Sequence, residues 1–116
     1  MSYLLLDLAR GAKTKEVLGL VDSGASVNVL PYKLGLELGA VWDDQMPLFQ
    51  LSGNLANHES RGLSVSAKIA DFERVSFAFA RTKAEDVPVI LGQTNFFSLF
   101  DVCFMRQDFQ FEIKAK

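Results

Sequence analysis

The chain has 116 residues, 49% of them apolar, with 12 basic against 14 acidic side chains and a formal net charge of −2. That length predicts one domain, spanning 1–116, whose core needs neither metal nor disulfide. The balanced charge, without a run of one sign, argues against nucleic acid or an anionic membrane surface as partner.

In chain order, the start Met1-Ser2-Tyr3-Leu4-Leu5-Leu6-Asp7 has no basic region, and its apolar run stops at Asp7. It predicts no signal peptide and no transmembrane segment, hence a cytoplasmic protein. The apolar runs 15–21, 27–30 and 88–91 read as interior strands. Residues 32–38, after Pro31, predict a short helix, and 94–99, after Gly92, a second. Leu63, Val65, Ala67 and Ile69 alternate with polar or small residues, as do Val75, Phe77 and Phe79, and again Phe109, Phe111 and Ile113. Each series predicts a half-buried antiparallel strand. Turn-like breaks fall at 70–73 and 106–108. The fold class expected is mainly β, with one or two short helices.

Residues 49–62 stand apart, polar and bracketed by Gly53 and Gly62. They read as a long hairpin with little core at its tip, either a mobile cover over a cleft or an ordinary surface hairpin.

The chemistry concentrates in Leu20-Val21-Asp22-Ser23-Gly24-Ala25. A carboxylate at the end of an apolar strand is costly unless its burial is compensated. Ser23 brings a hydroxyl, and Gly24 allows a turn tight enough for its N–H to face the carboxylate. Leu5-Leu6-Asp7 and Leu99-Phe100-Asp101 share the apolar lead-in but lack the hydroxyl residue and the glycine. Seventy residues past Asp22, Val87-Pro88-Val89-Ile90-Leu91-Gly92 forms an apolar strand ending in glycine.

Other constellations are weaker. Gly24-Ala25-Ser26-Val27-Asn28 lacks the last glycine of a nucleophile elbow. Gly11-Ala12-Lys13-Thr14 lacks the adjoining Gly-Lys pair of a phosphate loop. Cys103, the single cysteine, excludes an internal disulfide and fits a reducing compartment. It lies in an apolar run, so an inert thiol is a better reading than a nucleophile paired with His58. One histidine and one cysteine leave no metal-ligand spacing, and no cofactor is expected. The phenylalanines at 96, 97, 100, 104, 109 and 111 read as packing residues.

Together, Asp22-Ser23-Gly24-Ala25, the glycine-bracketed segment and Ile90-Leu91-Gly92 resemble the retropepsin-like aspartic proteases, in order over residues 14 to 114. The resemblance is in particular to their short gag-type and bacterial members. The resemblance implies a closed, barrel-like β fold, with Asp22 catalytic and Ser23, Gly24 and Ala25 supporting it. Ser23, in place of the commoner threonine, would bond across to a partner's loop, and Gly92 would pass behind the Asp22 loop. Leu51, Ser52, Gly53, Asn54 and Leu55 would form a substrate-binding flap. Leu30, Leu51, Leu55, Val89 and Ile90 would wall an aliphatic pocket.

Aspartic protease chemistry needs two carboxylates sharing one proton. This chain offers one, so an active enzyme would be a twofold homodimer acting on a peptide or protein substrate. Residues 3–8 and 109–113 would either interleave between subunits or serve as edge strands of the monomer. Two other readings stand beside the endopeptidase. One is a protease-like domain with little or no turnover, used for dimerisation or peptide binding; the other is a β-barrel binding module in which Asp22 merely caps a turn.

Overall fold

A computed structural model describes residues 2–84, 86–93, 100–105 and 110–115, the last two segments as backbone only. The first ribbon pairs β1 (Ser2–Arg10) with β2 (Lys13–Val21) antiparallel along their full length. Its turn, Gly11-Ala12, has φ +60° at Gly11, a primed hairpin turn that matches the right-handed twist of the flanking strands. The sequence 11–14 is thus a hairpin connection rather than a phosphate loop.

Four further strands complete a closed barrel: β3 (Asn28–Pro31), β4 (Ser60–Lys68), β5 (Val75–Thr82) and β6 (Val89–Leu91). Their order around the barrel is β1-β2-β6-β3-β5-β4, with β4 returning to β1 through Asp7–Lys68, Leu8–Ala67 and Ala9–Ser66. β2 runs parallel to β6, and β3 parallel to β5. This agrees with the mainly β, barrel-like fold expected from the sequence. The chain ends in a separate antiparallel pair, β7 (Phe100–Met105) with β8 (Gln110–Ala115). The helix expected at 94–99, the turn at 106–108 and the side chains of Cys103 and the late phenylalanines lie outside the described residues.

Alternation in sequence becomes inside and outside of the barrel. Leu6, Leu8, Val65, Ala67, Phe77, Phe79, Val89 and Leu91 all point inward and are buried. Full burial of each large side chain contributes about 1.5–3 kcal/mol. Phe77 and Phe79 also pack ring on ring at 6.1 Å.

The helix α1 (Tyr32–Glu37) begins after Pro31, as expected. It stops in a Schellman motif: Gly39, at φ +78°, donates to Leu36 O, and Ala40 donates to Gly35 O. Arg81 continues the buried series of Phe77 and Phe79 along β5 and is only 2% exposed, a charged residue where the series calls for an apolar one. Its guanidinium lies against Gly35, donates to Tyr32 O at 3.1 Å, and stacks on the Tyr32 and Trp42 rings. That contact fixes α1 and the chain after it against the end of β5.

Candidate active site: the Asp22 cleft

β2 delivers Asp22 to the end of the barrel, half-buried one residue beyond the strand. Its backbone N–H donates to Leu91 O at 3.0 Å, extending the parallel pairing of β2 with β6 by one step. The chain then folds back, Ala25 N–H donating to Asp22 O at 3.1 Å. Within this turn Gly24 N–H donates to Asp22 Oδ1 at 2.9 Å. The carboxylate is thus held by its own loop.

Behind the loop, β6 approaches backbone to backbone. A Cβ on Gly92 would lie 2.6 Å from Val27 O and 2.8 Å from Ala25 O, so no side chain fits there. The Gly92 N–H donates to Asn28 Oδ1 at 2.8 Å, and Asn28 Nδ2 donates to Ala78 O at 3.3 Å. A buried asparagine therefore ties β3 to both β6 and β5. Gln93 binds the loop twice, through its N–H to Ala25 O at 3.0 Å and through Nε2 to Ser23 O at 2.6 Å.

In front of Asp22 lies a cleft of about 330 Å³. Asp22, Gly24, Ala25, Ser26, Val27 and Val29 form its floor, Ile90 one wall, and Phe49, Gln50, Leu51, Ser52 and Leu55 its roof. Among these lining residues Asp22 is the only one that ionises. Gly53 and Asn54 stand apart from the lining, in an exposed 3-10 turn (Gly53–Leu55). Ser23 is also exposed, on the outer side of the loop. Two of the aliphatic walls expected from sequence are corrected: Leu30 and Val89 face the barrel interior, 0% and 4% exposed. In the three-residue strand β6 only Ile90 points outward, and it alone reaches the cleft.

The roof is a loop rather than a long hairpin. One bridge, Leu48–Arg61, joins it to β4, reinforced by Phe49 N–H to Ser60 O at 2.8 Å and Gly62 N–H to Pro47 O at 2.9 Å. Arg61 Nη1 donates to Met46 O at 3.1 Å, and Gln50 Nε2 to Ala56 O at 3.0 Å. At its root, Glu59 accepts from Arg61 Nε at 3.0 Å and faces Lys83 Nζ at 3.8 Å.

Sequence reasoning placed Phe49 and Gln50 in the segment offered as a cover without naming them as site residues, and did not single out Ser26, Val27, Val29 or Gln93. Phe49 and Gln50 directly precede the expected flap residues, and Ser26 directly follows the catalytic motif. Contiguity was the available signal. For Gln93 it was an amide next to the glycine that packs behind the loop.

Among the described residues no helix is long and apolar enough to cross a membrane, and no group of three or more potential metal ligands occurs. No protein-family model matches the sequence, and no curated protein does. Solved structures do match. One is EIAV protease complexed with the inhibitor HBY-793, with a TM-score of 0.60 at 17% identity, over 84% of this chain and 86% of that one. Likeness at that identity shows the fold, and the fold is retropepsin-like.

Proposed function

We propose that the chain is one protomer of a homodimeric aspartic endopeptidase, the Asp22 of each copy forming the catalytic pair. The observation that carries this reading is the placement of Asp22. It is half-buried at a strand end, bonded by Gly24 N–H, and is, among the described residues, the single ionisable group lining a roofed cleft of a retropepsin-like barrel.

Two carboxylates brought close share one proton, because both do not readily ionise. The ionised member takes a proton from water as it attacks the peptide carbonyl, and the protonated member hydrogen-bonds the developing oxyanion. A proton then passes to the leaving nitrogen. One chain brings one such group to the cleft, so symmetry must supply the other. The exposed Ser23 and Gly24 leave the outer side of the loop open to a second copy. A substrate lying extended beneath Phe49–Leu55 would offer its backbone for strand-like pairing. Its side chains would meet Val27, Val29, Leu51, Leu55 and Ile90, a lining that favours apolar residues beside the cleaved bond. A cytoplasmic location accompanies the proposal.

Asp22→Asn tests it, since an amide oxygen still accepts from Gly24 N–H and the loop survives. Hydrolysis of a fluorogenic peptide library is expected to vanish while the circular dichroism spectrum is retained. Turnover persisting in the variant would exclude the mechanism. Peptide binding without turnover in the wild-type protein would instead identify a non-hydrolytic protease-like binding module.

A further inference from the structure

Ser23 C=O and Gly24 N–H are the two ends of one planar peptide group. The oxygen end accepts from Gln93 Nε2 at 2.6 Å, and the nitrogen end donates to Asp22 Oδ1 at 2.9 Å. The three groups form a continuous relay, from the Gln93 amide through the peptide to the Asp22 carboxylate. We propose that Gln93 is a positioning residue for Asp22, orienting and polarising the Ser23–Gly24 peptide so that its N–H holds the carboxylate. The proposal deepens the protease reading, and its catalytic consequences rest on that reading.

Three observations support it. Hydrogen bonds in series polarise one another, so a donor on the carbonyl strengthens the N–H at the far end of the same peptide. The Ser23–Gly24 peptide is the central peptide of an exposed turn closed by Ala25 N–H to Asp22 O, so no buried packing fixes its plane. Gln93 is itself anchored, because its own N–H bonds Ala25 O at 3.0 Å and the preceding Gly92 is locked behind the loop. The side chain therefore acts from a fixed base. Among the described residues no other ionisable side chain lines the cleft, and the Gly24 N–H is the donor that meets the Asp22 carboxylate.

The test compares wild type with Gln93→Ala, which removes the donor, and Gln93→Arg, which keeps an N–H donor on a long side chain. The Gly24 amide proton is followed by NMR, through its chemical shift and its hydrogen exchange, beside kcat and KM for a fluorogenic peptide. Loss of the donor is expected to move that proton upfield and to speed its exchange by roughly threefold, as its bond to Asp22 Oδ1 weakens. It should also lower kcat by about five- to tenfold with KM nearly unchanged. Gln93→Arg is expected to restore most of both. An unchanged Gly24 amide in Gln93→Ala overturns the proposal, whatever the turnover. A changed Gly24 amide in a protein that hydrolyses no peptide supports the relay and removes the protease reading instead.

Discussion

Gly92 and Val27 meet backbone to backbone: a methyl group on the first would sit 2.6 Å from the carbonyl oxygen of the second. The strand end and the Asp22 loop are thereby locked into one unit. Gly92→Ala must push them apart, since the obstacle is main chain and cannot rotate away. A cost of about 3 kcal/mol is expected. Gly53, in the roof, gives the contrast. It has φ +63° but open space around its Cβ position, so Gly53→Ala is expected to cost about 1 kcal/mol. Urea denaturation midpoints check both, and equal losses would contradict the packing account.

Asn28 is 1% exposed, and its side-chain amide uses both ends, accepting from Gly92 N–H and donating to Ala78 O. Asn28→Ala leaves a buried N–H and a carbonyl without those partners. The expected loss is about 2 kcal/mol. Hydrogen exchange at Gly92 is expected to accelerate more than at the β4–β5 amides away from Asn28. Unchanged exchange at Gly92 would show that the bond is unimportant.

Glu59 stands where the roof loop enters β4. The hydrogen bond from Arg61 holds its carboxyl below the ordinary glutamate range; burial opposes this, and the charges of Lys83 and Arg61 and the Trp42 N–H add to it. A carboxyl depressed in the folded state contributes stability in full above its unfolded value and loses it as pH falls through the folded value. Wild type should therefore lose Tm more steeply on acidification than Glu59→Gln once the pH falls below about 5, and not between pH 7 and that point. The two curves are expected to converge at the acid end. Parallel curves would contradict the pairing.

What the sequence made legible was what local chemistry dictates. Asp22-Ser23-Gly24-Ala25 reads as a carboxylate loop because each residue type has one physical use there, and Gly24 N–H does meet the carboxylate. Val65, Ala67, Phe77 and Phe79 alternate, and they are the buried face of β4 and β5. Residues 32–38 carry a start at Pro31, and α1 follows it as Tyr32–Glu37. The roof was not legible as built. Its bonds run from side chains to distant carbonyls, as from Arg61 to Met46 O, and leave no period in the sequence. Leu30 and Val89 were misplaced because a continuous apolar run does not say which of its residues faces inward.

The most direct measurement of the central claim is hydrolysis by a fixed amount of wild-type chain as Asp22→Asn chain is added. If the working cleft takes one carboxylate from each of two copies, mixed dimers are inactive and the rate falls towards zero with excess variant. Without the variant, the rate rises faster than linearly with protein concentration. A rate that is linear in concentration and indifferent to the added variant would show that a single chain suffices, and would contradict the shared site.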